Sequence, residues 1–373
     1  MGDAAADYTV FESSGSSTTA RPHAPRIWAV ASHRAGENSQ IFGLAERLKE
    51  RLGARVEIHW LRFNALGGPL GLLQRVGPIG LGSESRAALT APWPDVVVSA
   101  GVTNEPVCRW IRDRSRDSRK GATRLVFLGR TWAPRHVFDL VVTTPQYRLP
   151  NEPNVVHNLM TQHGVTQARL AAEGARWRTV LDSPDTRRVG VLVGGDSGPH
   201  VFGVNSARRL AQEVNALCRQ SGAVALVSSS ARTRQEALDV LQRTLDPSTF
   251  VYRWRPNDPD NPYFGILALA DELVVTSDSI AMLSEAAATR KPVHVFDLAK
   301  PGVPHDRTLE SRAYGAMMAV LPQRLSRDIG LFHAAYFAGG FGVPLGERAA
   351  SSGPGAEREI DATMARVASL LPR

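Results

Sequence analysis

The sequence predicts an α/β protein built from two doubly wound, Rossmann-like domains. Three observations carry this. Short runs of Val, Ile and Leu recur as continuous stretches, the pattern of strands covered on both faces in a parallel sheet. Each run is followed by a turn and then by a segment with apolar residues at helical spacing. This alternation occurs twice, in two series separated by a polar segment, and a chain of 373 residues that is 43% hydrophobic is too long for one ordinary core.

The first series opens at Arg26. IWAVAS (27–32) reads as a strand, RAGENS as a loop, QIFGLAERLKERL (40–52) as a helix and RVEIHWL (55–61) as the next strand. After a Gly/Pro-rich apolar stretch, DVVVSAG (95–101), RLVFLG (124–129) and FDLVVTT (138–144) are three further strands. PQYRLPNEPN (145–154) is a turn-rich connection, and the polar helix over 167–181 reads as a linker.

The second series starts with RVGVLVGG at Arg188 and continues as helix NSARRLAQEVNALCRQ (205–220), strand AVALVSSS (223–230), helix TRQEALDVLQRTL, strand TFVYRW, helix YFGILALA and strand DELVVTS. TSDSIAMLSEAAATRKPVHVF (276–296) adds a helix and leads into the strand PVHVFDL (292–298). The expected division is a tail over 1–25, a first domain over 26–165, a linker helix over 166–187, a second domain over 188–345, and a flexible segment with a terminal helix over 346–373. Ligands of such folds lie beyond the carboxyl ends of the strands, so the loops of both series are expected to face a shared cleft.

Charge narrows the partners. With 44 basic against 36 acidic residues the chain carries a formal +8, which suits a phosphorylated ligand or an anionic membrane. Nucleic acid is disfavoured, because the arginines are scattered through helical stretches without an aromatic-basic platform. Cys108 and Cys218 lie far apart with no metal-ligand spacing, as expected of unpaired thiols in a reducing cytoplasm. The first 25 residues lack the apolar core of a secretory signal, and no run of about 18 apolar residues offers a membrane span. The greasy stretch ALGGPLGLLQRVGPIGLG (65–82), with Arg62 before it and Arg75 within it, is either a buried connection or a contact with a bilayer or lipid-linked acceptor. The expected location is therefore cytoplasmic, peripheral on the inner face of a membrane.

Three loops carry candidate ligand chemistry. Neither series has the GxGxxG fingerprint of a nicotinamide enzyme, and neither GxxxxGK[ST] nor GxSxG occurs. GGDSG (194–198) follows a strand and precedes a helix; Gly194, Gly195 and Ser197 would bring backbone amides to a phosphate, or simply make a tight turn. SSSARTR (228–234) offers the Ser229 and Ser230 hydroxyls and a forked contact from Arg232 or Arg234, unless it is a capped turn with solvated arginines. Ser277, Asp278 and Ser279 end the strand before a helix whose apolar face is interrupted by Glu285. Asp278 or Ser279 would cap that helix for about 1 kcal/mol. Glu285 either points to water or accepts from a ribose diol while Ser279 and the helix amino end take phosphate. Tyr263, or Tyr252 and Trp254, would stack on a base or fill the core.

Together these stretches, with GENSQIFGLAERL and FDLVVTTPQYRLP to PNVVHN, resemble the glycosyltransferase-like family related to the plant mitochondrial fission factor called elongated mitochondria. The resemblance covers about residues 26 to 300. It implies the two-domain glycosyltransferase B fold, a nucleotide-sugar donor on the second domain and an acceptor on the first. More distantly, GGDSG and SEAAATRKPV are similar to the phosphate loop and donor helix of the N-acetylglucosamine transferase that makes lipid II, which places Glu285 at the ribose and Ser279 at the diphosphate. The sequence departs from the family pattern at PQYRLP, where Gln146 and Arg148 stand in place of an acid or a His-Asp pair.

The resulting expectation is metal-independent transfer of a sugar to a cell-envelope or lipid-linked acceptor. No cofactor beyond the donor is expected, and no metal. His33, Glu37 and Glu105 are the candidate bases, with Glu37 preferred for its Gly-flanked loop; Asn38, Gln40 and Asn104 would orient the acceptor. DPD (258–260) reads as a turn rather than a metal motif. Two rivals remain: a non-enzymatic adaptor that keeps the fold, and an epimerase or dehydrogenase, which would bind a nicotinamide.

Overall fold

Parallel strands with helical crossovers build two sheets of six strands each. The structure, a computed structural model, describes residues 24–64, 80–116, 121–181, 186–198, 200–303, 306, 308–309, 311, 313, 316–317, 327–350, 353 and 355–371. The expectations placed on the first 23 residues and on positions 65–79 fall outside these. The chain divides into one unit of residues 1–164 with 358–373 and another of residues 165–357.

In the first unit, β1 (Arg26–Ala31), α1 (Ala35–Leu52), β2 (Arg55–Trp60), α2 (Ser83–Ala87), β3 (Val96–Ala100), α3 (Glu105–Ser115), β4 (Arg124–Leu128), β5 (Leu140–Thr143) and β6 (Val155–His157) form a sheet of order β2-β1-β3-β4-β5-β6. The central strands β1 and β3 are buried on both faces, which is why their sequences run apolar without alternation. Helix α1 stops at Gly53, whose φ of 62° closes the carboxyl end in the left-handed region that glycine tolerates. The order reverses between β1 and β3, so the loops after these two strands flank the crevice where open α/β sheets bind ligands.

The second unit contains α4 (Gln167–Leu181), β7 (Arg187–Leu192), α5 (Val204–Ser221), β8 (Ala223–Ser228), α6 (Gln235–Thr244), β9 (Phe250–Tyr252), α7 (Tyr263–Leu269), β10 (Glu272–Thr276), α8 (Ile280–Ala288), β11 (Val293–Phe296), α9 (Ile329–Ala338) and β12 (Val343–Pro344). Its sheet order is β12-β11-β10-β7-β8-β9, which sets its switch point between β7 and β10. The pairing of Leu192 with Val275 brings GGDSG and TSDS out side by side at that point.

Two boundaries differ from the sequence expectation. Helix α4 is part of the second unit rather than a free linker, because Gly265 of α7 seats against the Trp177 ring and Gly174 of α4 against Ala268. The terminal helix α10 (Glu357–Leu370) is no separate appendage: Ile360, Met364 and Val367 are buried in the core of the first unit. The sequence reading contains neither α9 nor β12, the strand that forms one edge of the second sheet.

Candidate functional site

The loops at the switch point of the second unit are closed by the chain itself. Gly194 N donates to Thr276 Oγ1 at 2.8 Å and Gly195 N to Asp278 Oδ2 at 3.0 Å. Asp196 N reaches Arg232 O at 3.4 Å, and Ser197 N donates to His200 O at 2.9 Å. The amides that the sequence assigned to a phosphate are therefore satisfied internally. The glycines serve this close approach: a Cβ on Gly194 would lie 2.2 Å from Asp278 Oδ2, and one on Gly195 only 2.1 Å from Arg232 O. Gly195 also has a φ of 148°, which side-chain-bearing residues avoid.

The second loop is braced in the same way. Ser230 Oγ donates to Gly194 O, and Thr233 Oγ1 donates to it at 2.6 Å. Ser229 Oγ donates to Tyr252 O and accepts from Trp254 N at 2.8 Å. These hydroxyls hold strands and loops together, so Ser229 and Ser230 are bracing groups rather than phosphate ligands. The two arginines separate: Arg234 pairs with Asp196 at 2.6 Å, whereas Arg232 spans Asp278 Oδ2 at 2.9 Å and Asp196 O at 2.9 Å. Arg232 keeps 40% of its side chain exposed while that of Asp278 is wholly buried. Burial pushes the Asp278 carboxyl up from its ordinary range, and Arg232 opposes that shift.

Helix α8 begins at Ser279, yet no side chain caps it. The expected cap fails because Asp278 turns inward to Gly195 and Arg232, and the Ser279 contribution is its carbonyl, which accepts from Leu283 N at 3.0 Å. The first turn of α8 therefore carries its dipole and leading amides without a side-chain cap. Ser277 Oγ accepts from Leu298 N at 3.1 Å, and Ser197 Oγ accepts from Arg327 Nη1 at 3.1 Å.

Glu285 does not point to water. It is 5% exposed, is the one charged residue of α8, and accepts a hydrogen bond from the Tyr263 hydroxyl. Tyr263 is accordingly a hydrogen-bond partner of that carboxylate. Tyr252 is likewise engaged: its hydroxyl donates to Asp258 Oδ2 at 2.8 Å. Asp258 also takes Arg255 and the Asp260 amide, which makes DPD the turn its sequence predicted.

His333 escaped the sequence reading. It lies on α9 with Nε2 at 2.8 Å from Ser277 O, and burial holds it below the ordinary histidine value. Its signal, one histidine in the apolar run IGLFHAAYF, is indistinguishable from a core residue. Among the described residues no group of three or more His, Cys, Asp or Glu is arranged to hold a metal ion, and no helix is long and apolar enough to cross a membrane.

The first unit treats its candidates differently. At its switch point Ser32 Oγ donates to Glu37, which also lies 3.5 Å from Arg34. Gly101 leaves that space open, since a Cβ there would sit 2.6 Å from Glu37 Oε2. Asn38 and Asn104, expected on the acceptor side, clamp the backbone of the first unit. Asn38 accepts from Ser32 N at 2.7 Å and donates to Ser32 O at 2.9 Å. Asn104 Nδ2 reaches the carbonyls of Ala31 and Ala100 at 3.0 and 3.2 Å. Gln40 donates to Gly36 O at 3.1 Å, and His33 is exposed.

Glu105 is buried, and its two oxygens accept from Trp132 N at 2.6 Å and Ala133 N at 2.8 Å. Burial pushes it up to about 7 against those two amides. It anchors the loop after β4 through these two amides. Gln146 is buried, and Arg148 takes a left-handed φ of 51° after a 3-10 turn.

Comparison with known proteins follows the same outline. A model of the family described as Mitochondrial fission ELM1 matches residues 35–313, well over half of the chain. The Arabidopsis thaliana protein named Mitochondrial fission protein ELM1 is 30% identical over 149 residues, 39% of this chain and 34% of that protein. The chain thus matches about a third of the plant relative's length. An uncharacterized protein of Rickettsia prowazekii (strain Madrid E) is 22% identical over 301 residues, covering 72% of this chain and 82% of that one. Among solved structures, the glycosyltransferase SnogD from Streptomyces nogalater aligns over 93% of this chain and 99% of its own, at 15% identity and a TM-score of 0.47.

Proposed function

The chain belongs to the mitochondrial fission ELM1 family, and on that premise we propose that it is a glycosyltransferase of the glycosyltransferase B type. It moves a sugar from a nucleotide-sugar donor to a cell-envelope or lipid-linked acceptor, with no metal ion or other cofactor. Glu285 carries this reading: a buried carboxylate six positions after Ser279, held by Tyr263, on a helix whose amino end no side chain caps. An acid so placed accepts from ribose hydroxyls, while the amides of α8 and the Arg232 guanidinium meet the diphosphate. Stabilising the departing diphosphate is the larger part of such a reaction. The acceptor oxygen bonds to the anomeric carbon, the diphosphate leaves with the electron pair of the broken C–O bond, and the acceptor proton passes to a base. Glu37 and His33 are the candidates left for that base, Glu37 preferred for its place at the first switch point, because Glu105 is committed to two backbone amides.

The formal +8 and the apolar stretch at 65–82 support an anionic, lipid-linked acceptor and a place in the cytoplasm at the inner face of a membrane. Calorimetry with UDP-, GDP-, ADP- and CMP-sugars tests the donor site. One of them is expected to bind wild type, and Glu285→Ala to weaken it by about tenfold or more. Failure of all four to bind would sink the reading.

A second reading, a non-enzymatic adaptor, is favoured by the engagement of Glu37 with Ser32 and Arg34. It predicts that none of the four donors binds.

A further inference from the structure

The glycine loop already contains an anion. Asp278 Oδ2 takes the Gly195 amide at 3.0 Å and Arg232 Nη2 at 2.9 Å, and the Thr276 hydroxyl hydrogen-bonds to the same carboxylate while accepting from Gly194 N at 2.8 Å. Its other oxygen, Oδ1, is buried without a hydrogen-bond partner. A carboxylate among a loop amide, a hydroxyl and a guanidinium uses the donors that a phosphate oxygen would use. The loop packs closely here: a Cβ on Gly194 would meet the Asp278 carboxylate, and one on Gly195 the backbone of Arg232. Only Arg232 reaches solvent, with 40% of its side chain exposed.

We propose that Asp278 is a specificity-determining residue of the donor site: it fills the anion position of the glycine loop, a diphosphate binds by drawing Arg232 away from it, and Asp278 takes up a proton as it loses its counter-ion. This rests on the donor-binding reading above and adds which group the ligand displaces. A buried carboxylate stripped of its guanidinium is costly to keep charged, and protonation relieves that cost. Burial already biases Asp278 toward its protonated form. Proton uptake and ligand binding are then linked, so affinity for a nucleotide sugar rises as pH falls.

The charged groups around Asp278 come from three segments. The loop after β8 supplies Arg232, and the loop after β7 supplies Asp196, whose carbonyl holds Arg232 and whose carboxylate is paired with Arg234. From α9 comes His333, bonded to Ser277 O and under the electrostatic influence of Asp278, Asp297 and Arg327. His333 is the competing site for the proton.

Calorimetry in buffers of different ionisation enthalpy separates these groups. UDP-N-acetylglucosamine, ADP-glucose and GDP-mannose are tried in turn, because a diphosphate esterified at both ends has no ionisation of its own near neutral pH. For the one that binds, wild type is expected to take up a fraction of a proton and to bind several-fold more tightly at about pH 6 than at about pH 8. In Asp278→Asn both effects vanish and binding at about pH 8 tightens by about tenfold; in His333→Gln both persist. Should Asp278→Asn fail to fold, uptake that persists in His333→Gln still supports Asp278. Absence of uptake in wild type, weaker binding by Asp278→Asn, or uptake lost in His333→Gln overturns the proposal. A wild type that binds none of the three overturns this inference, and the donor reading with it if a CMP-sugar also fails to bind, whereas binding without uptake overturns this inference alone.

Discussion

Asn104 illustrates how one residue type serves two opposite purposes. Its position after a strand, in AGVTNEP, suits an acceptor ligand as well as a clamp, and only the fold shows Nδ2 directed at Val30, Ala31, Ala100 and the Ser99 hydroxyl. Asn104→Ala leaves buried carbonyls unsatisfied, so thermal or urea unfolding should register a loss of about 1–3 kcal/mol. The same limit applies to GGDSG, where the glycines were legible as a close approach but their partner was not. That partner, Asp278, lies 83 positions beyond Gly195, and nothing local to either motif signals the pairing. Glu285 was legible, because an acid within an apolar helix face needs a reason wherever it occurs.

Among elements, strands were read more surely than their neighbours. Continuous Val-rich runs define β3, β5, β7 and β10, whereas α9 escaped because an apolar helix with no polar face gives no period to detect. The adjoining strands β10 and β11 carry a further consequence at their amino ends. Glu272 and His294 are both buried and lie 3.1 Å apart, with Arg187 at 3.7 Å from Glu272. The hydrogen bond from His294 holds Glu272 below its ordinary 4.5, against the opposing effect of burial. A carboxylate with a depressed folded value contributes stability above its unfolded value and loses it as pH falls through the folded one. Wild type should therefore lose stability below about pH 4.5, and Glu272→Gln should flatten that part of the curve. Denaturant unfolding across that range measures it. A Glu272→Gln curve parallel to wild type would show that the pair contributes nothing to acid sensitivity.

At the scale of the whole molecule, the chain leaves its first unit and returns to it. The sequence showed α10 as a terminal helix but could not say which core it completes, since periodicity identifies a buried face and not its partner. Ile360, Met364 and Val367 are buried beside Ile27, Ile41 and Leu44, and polar groups fix the register. Asn158 Nδ2 donates to Thr363 Oγ1 at 2.9 Å, the Glu359 carboxylate accepts from Leu159 N at 2.9 Å and Met160 N at 3.0 Å, and Arg51 pairs with Asp361. Burial of three such side chains at about 1.5–3 kcal/mol each is comparable with the whole stability of a typical domain. The first unit therefore cannot reach its native state before the last residues of the chain are available. Residues 24–164 alone should stay unfolded or molten by near-ultraviolet circular dichroism, and a peptide of residues 357–371 added in trans should restore a cooperative transition. A peptide with Ile360 and Val367 both changed to Asp should not, because two buried carboxylates oppose docking in that core. Cooperative unfolding of residues 24–164 without any peptide would show instead that α10 only covers a finished core.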